Sequence, residues 1–186
     1  DRRRPLHAAT ARALVEAAGQ KVDEQAALIG RQFEAAEEWL EAARWYARAA
    51  QWMMRSDVVG AMQHFRKAHD LIGRVPASEE GQRIDLQTCL GILDLGFRLG
   101  LEQQEHERVF ARGMSLAKQL GDHETAAAME RVRTLAAWSF GWGGGSATTA
   151  ASTATDPESM LNSAFVALGS GMVSGTLGQA LAASDD

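Results

Sequence analysis

The sequence predicts an all-α protein in which antiparallel helix pairs stack side by side as an α-solenoid, and three observations carry that prediction. Only 3 of the 186 residues are proline and 6% are aromatic, while Ala, Leu, Glu, Gln and Arg, which lose little rotamer freedom in a helix, are abundant. Apolar side chains recur at steps of three and four along most of the chain up to about residue 137, the period of a helix with one buried face. Nearly every such run is opened by a capping acid or serine, or closed by glycine, as at Gly19, Asp57, Gly73, Ser78, Gly100, Gly121 and Asp122. The length suffices for one domain, or about four to five helix pairs of roughly 34 residues each. It does not accommodate an enzyme and a repeat array together.

The elements follow in order. Pro5 to Ala18 reads as a first helix, with Leu6, Ala9, Ala13, Leu14 and Ala17 at helical spacing and Gly19 as its terminator. Asp23 and Glu24 open the second, where carboxylates complement the positive end of the helix dipole; Ala26, Ile29, Gly30 and Phe33 form its inner face, and it ends near Ala36. The third helix, about Glu38 to Met54, confines its charges to one stripe of Glu41, Arg44, Arg48 and Arg55. A helix with only one narrow polar stripe is packed on more than one side. It is therefore expected to be the most buried element.

Asp57 starts a fourth helix with Val58, Ala61, Met62, Phe65, Ala68 and Ile72 on one face; Gly73 and Pro76 end it. Ser78, Glu79 and Glu80 start a fifth, which runs to Leu99 and is closed by Gly100. A sixth carries Val109, Phe110, Gly113, Met114, Ala117 and Leu120 and stops at Gly121. A seventh opens at Asp122 and Glu124 and reaches about Phe140. The pattern then gives three regions: a helical repeat array over 1–140, a Gly/Ser/Thr/Ala-rich segment over 141–155 whose composition predicts flexibility, and a short helical pair over 156–186 that reads as a continuation of the array. That last pair begins with a capping acid and a proline at the first helical position, Asp156-Pro157-Glu158.

The order of small and aromatic residues gives the helix pairs a more specific reading. Ile29, Gly30 and Phe33 are followed by Ala42, Tyr46 and Ala49, close to the tetratricopeptide pattern Trp-x2-Leu-Gly-x2-Tyr with Ala-x3-Phe. Ala26 stands where that pattern has Trp, and Ile29 where it has Leu. Glycine and alanine let the two helices approach, and the aromatics fill the space between them. Ala61-x3-Phe65-x2-Ala68 repeats the order Ala42-x3-Tyr46-x2-Ala49.

Charge and motifs exclude several classes of function. The net charge is -5 with acids and bases interleaved, and Arg2, Arg3 and Arg4 form the one basic cluster, so no nucleic-acid footprint is expected. The lone Cys89 lies in register with Leu86, Leu90, Leu93 and Phe97 and reads as core. Residues 160–184 are uncharged but carry Asn162, Gln179, serines and glycines, too polar for a membrane span. Gly141 to Gly145 lack the following Lys-Ser or Lys-Thr and the preceding strand of a phosphate loop. His7, His64, His69, His106 and His123 are scattered and have no Cys or acidic partner at metal-ligand spacing. No nucleophile, base and orienting acid assemble, so no catalytic residue, cofactor or metal is expected. The chain starts at Asp1 without an apolar leader, which reads as an excerpt of a longer, cytoplasmic protein.

The run DEQAALIGRQFEAAEEWLEAARWYARAAQW at 23–52 resembles the tetratricopeptide-like regions of large bacterial class III adenylate/guanylate cyclases. LGILDLGFRLG at 90–100 and FARGMSLAKQLGD at 110–122 are similar to the next helices of such a region, and TDPESML at 155–161 with GTLGQALAASD at 175–185 to a later repeat. In that family a cyclase domain precedes a P-loop ATPase domain, and the helical repeats follow. The resemblance implies a non-catalytic segment that binds a protein, a peptide or an adjacent domain and so regulates the attached signalling enzyme. The regulatory region of a large ATP-dependent transcriptional activator is the rival, and a stand-alone helical enzyme a more distant one. If Gly30 is the small packing position of a repeat's first helix, Glu24, Arg31 and Glu34 lie beside it as polar groups available to a peptide.

Overall fold

The computed structural model describes residues 3–142, and among them every regular element is a helix. They are α1 (Arg3–Ala18), α2 (Val22–Ala35), α3 (Trp39–Met53), α4 (Val58–Ile72), α5 (Glu79–Leu99), α6 (Gln103–Leu120) and α7 (His123–Phe140), with a 3-10 turn, Gly19–Lys21, between the first two. The expected segment at 143–155 and the helical pair at 156–186 lie outside the described residues, as does the uncharged stretch at 160–184. Among the described residues no helix is long and apolar enough to cross a membrane.

The capping chemistry sets the helix ends. Asp57 accepts from the Gly60 amide at 2.8 Å, Ser78 from that of Gly81 at 3.1 Å and Asp122 from that of Thr125 at 2.9 Å. Each cap satisfies an amide that the helix leaves without a carbonyl partner. At the other ends Gly100, Gly121 and Gly141 turn left-handed, with φ of 74°, 67° and 68°. The residue after each glycine donates back to the carbonyl five positions earlier, which closes the last turn.

Each helix packs on the next in sequence, and α3 on α5 and α5 on α7 as well. Two hydrophobic cores result. One gathers Ala26, Ile29, Phe33, Trp45 and Tyr46 from α2 and α3 with Ala68, Leu71 and Ile72 of α4. The other gathers Leu86, Ile92 and Leu93 of α5 with Leu116 and Met129, together with Ala61, Met62 and Phe65 of α4. Gly30 faces α3 as its spacing predicts: a Cβ there would lie 3.4 Å from Trp45 Cβ and from the Tyr46 ring.

The polar stripe of α3 is stitched to both flanks. Arg44 bonds Glu41 at 3.2 Å on its own helix and Glu80 of α5, while Arg48 bonds Asp23 of α2 and lies 5.2 Å over the Trp45 ring. The expectation that α3 is the most buried element is nevertheless corrected. Eleven of the 21 residues of α5 are buried, against seven of the 15 in α3. The reason is position: α5 is packed by α3, α4, α6 and α7, whereas Trp52 near the end of α3 remains 51% exposed.

Candidate functional site

The C-terminal end of α2, the turn into α3 and the residues after α4 enclose an open cleft of about 480 Å³. Arg31, Glu34, Ala35, Glu37, Trp39 and Arg74 line it. The local backbone explains how the cleft is shaped. The amide of Glu37 bonds the Glu34 carbonyl at 2.9 Å and that of Glu38 the Phe33 carbonyl at 3.0 Å, the double closure of a left-handed helix end. Here the left-handed position is held by Glu37, at φ 62°, among the described residues the one non-glycine with positive φ. A side chain in that conformation costs roughly 1–2 kcal/mol that glycine would not.

The two carboxylates of the cleft are already engaged. Glu34 accepts from the Tyr46 hydroxyl at 2.8 Å and pairs with Lys67 of α4 at 2.5 Å; Glu37 pairs with Arg4 of α1. Burial, and then the bond to Glu34, push the Tyr46 phenol well above its ordinary value, so it stays a neutral donor. The two guanidiniums are different. Among the described residues neither Arg31 nor Arg74 has a carboxylate within ion-pair distance, and the Arg74 guanidinium carbon lies 5.2 Å from the centroid of the Trp39 ring. A guanidinium held over an indole by a cation–π contact keeps N–H donors for a further partner.

The residues expected from sequence are thus divided. Arg31 and Glu34 meet in the cleft, and Glu24 sits exposed in the first turn of α2, about 10 Å of helix rise from Arg31. Glu37, Trp39 and Arg74 were not singled out as binding residues. The Trp39 position was visible as an aromatic of the third helix, but nothing local to Arg74 indicates that α4 delivers it to the end of α2.

A second constellation lies between α4, α5 and α6, around a histidine that has no acidic partner at metal-ligand spacing in sequence. Asp85 of α5, 1% exposed, receives His69 Nδ1 at 2.7 Å and Arg112 at 3.0 and 2.9 Å through Nε and Nη2. His69 therefore has an acidic partner, supplied across helices rather than at metal-ligand spacing in sequence. Burial works to raise the Asp85 carboxyl, but His69 and Arg112 outweigh it and hold the group below its ordinary value. The bond to Asp85 in turn raises His69 against the effect of its own burial. Cys89 Sγ approaches Asp85 at 3.9 Å, and burial pushes that thiol far up, so it stays protonated.

Donor atoms of His69, Asp85 and Cys89 lie within 4.8 Å of one another, as a metal site would require. The cluster fits a hydrogen-bond network better. Both oxygens of Asp85 are taken, and the Arg112 cation balances its charge. His106 is also buried, with its ring against Trp142 at 5.2 Å and its Nε2 without a hydrogen-bond partner among the described residues; burial lowers its basicity. No protein-family model, curated protein or solved structure matches this chain.

Proposed function

We propose that this chain is a non-catalytic interaction segment, a tetratricopeptide-like α-solenoid that binds a protein, a peptide or a neighbouring domain through the α2–α4 cleft. The observation that carries the reading is the pair of guanidiniums, Arg31 and Arg74, without carboxylate partners among the described residues and brought to one cleft from positions far apart in sequence. Charges that serve only solubility are more often spread along helix faces, as Arg83 with Glu79 and Arg133 with Glu130 are here. The packing of each helix on the next, and of α3 on α5 and α5 on α7, supports the stacked reading, because a stack buries its core between repeats and leaves its flanks to partners.

The larger context proposed is a signalling protein, an adenylate/guanylate cyclase with an ATPase module, whose output this segment regulates. The test is made in the full parent chain. Arg31→Glu with Arg74→Glu is expected to change the regulation of the attached catalytic domain while leaving the circular dichroism and urea midpoint of the 186-residue chain unchanged. Identical catalytic output and regulation in the parent, with or without the double reversal, would refute the reading. Nucleotide turnover by the purified chain above a heat-denatured control would refute its non-catalytic part.

A further inference from the structure

Resting on the interaction reading above, we infer that the α2–α4 cleft takes an acidic peptide segment, whose side-chain carboxylates pair with Arg31 and Arg74 while an adjoining apolar side chain lies on Trp39 and Ala35. The charge balance of the cleft points that way. Glu34 is neutralised by Lys67 and Glu37 by Arg4, so the two remaining guanidiniums leave the cleft cationic on a chain whose net charge is -5. A carboxylate matches the guanidinium fork with two parallel N–H···O bonds, which a lysine ammonium does not offer. Arg74 meets such a ligand with its guanidinium carbon already held 5.2 Å from the centroid of the Trp39 ring, which limits the side-chain freedom that binding must remove.

The proposed ligand is a carboxylate-bearing chain rather than a phosphate. Glu34 and Glu37 line the same cleft as the two arginines. A polyphosphate or a nucleic-acid backbone carries its charge on tetrahedral groups, whereas the planar fork of each guanidinium also matches a planar carboxylate. The cleft is open rather than enclosed, which suits a segment of chain entering and leaving, and Ala35 and Trp39 give it apolar area for specificity beyond charge.

The experiment uses fluorescence anisotropy with the 186-residue chain and three labelled probes: an N-acetylated, C-amidated peptide of alternating Glu and Leu, its Gln counterpart, and the Gln peptide with a free C-terminal carboxylate. The Glu peptide is expected to bind, to weaken with added salt and to lose about tenfold or more in affinity with Arg31→Ala plus Arg74→Ala. Lys118→Ala on α6, outside the cleft, is expected to change nothing. Arg31→Lys with Arg74→Lys is expected to recover only part of the loss, because the charge returns without the fork. Equal binding of the Gln peptide, of the free-carboxylate probe, or of the Glu peptide to the double alanine variant would overturn the proposal. So would displacement of the Glu peptide by pyrophosphate at equal concentration, or absence of binding up to millimolar peptide. If the peptide does not bind but charge reversal still alters the parent's regulation, this inference falls and the interaction reading stands.

Discussion

Replacing Asp85 with Asn removes one negative charge from the buried junction of α4, α5 and α6 while nearly preserving shape. The carboxylate is 2% exposed and accepts three charge-assisted bonds, one from His69 and two from Arg112. A bond of that kind contributes about 1.5–3 kcal/mol when its partners are sealed from water. These partners are not sealed: the Arg112 side chain is 54% exposed and that of His69 35%. Once released, Arg112 turns to solvent, so its share falls toward the roughly 0–1 kcal/mol of a surface pair. The asparagine carbonyl still accepts from His69, but its amide group faces guanidinium donors in a buried site. The sum is a loss of about 2–3 kcal/mol, read as a lower urea midpoint at an unchanged slope.

The pH dependence of that loss is the sharper measurement. Asp85 is held below its ordinary 3.8, so its contribution is present above that value and disappears as pH falls through the lower native one. His69 is held above its ordinary 6.5, so its contribution is present below 6.5 and disappears as pH rises through the raised native value. Both shifts depend on Asp85. The stability gap between the wild type and Asp85→Asn should therefore be widest between about pH 4 and 6.5 and narrow on either side. A gap that stays constant across pH 4 to 8.5, or one below about 0.5 kcal/mol throughout, would refute the account of this network.

Three further outcomes are expected. Tyr46→Phe removes the hydroxyl bonded to Glu34 and should cost about 1 kcal/mol, whereas Tyr46→Ala at this 4% exposed position should cost about 3–5 kcal/mol; equal urea midpoints for the two variants would deny the packing role of the ring. Gly91→Ala places a Cβ 2.5 Å from the ring of buried Phe65, an overpacking worth about 1–3 kcal/mol, and Phe65→Leu should recover part of it in thermal melts. Glu37→Gly should raise stability by roughly 0.5–1 kcal/mol, because relief of the left-handed strain exceeds both glycine's extra entropy and the exposed Arg4 pair. A lowered melting temperature would place more stability in the Arg4–Glu37 pair than a surface contact supplies.

The helices were legible because their signals are local. Asp57, Ser78 and Asp122 cap within three residues, Gly100, Gly121 and Gly141 end helices by their own conformation, and Gly30 announces its close approach by standing among aromatics. Two of the six residues that line the cleft were legible for the same reason, since Arg31 and Glu34 share one turn of α2. Arg74 was hidden because only the packing of α4 on α3 carries it there. Glu37 gave no sign of its left-handed backbone, which the other αL helix ends assign to glycine. Asp85 sits between Ile84 and Leu86, and its partners come from α4 and α6, so the sequence offers a charge on an apolar helix but no hint of what balances it. The greater burial of α5 is likewise set by its four neighbours rather than by its pattern alone.

Helix α4 gives Ala61, Met62 and Phe65 to one core and Ala68, Leu71 and Ile72 to the other. Its two halves are thus gripped by different sets of neighbours along a single rigid rod, and a tilt of that rod is felt at both grips. The chain emerging from its C-terminal grip is the one that carries Arg74 into the cleft, and the helix itself carries Phe65, whose ring fills the space against Gly91 of α5. One helix thus contributes to both cores, and the turn at Gly73 links it to the arginine of the cleft.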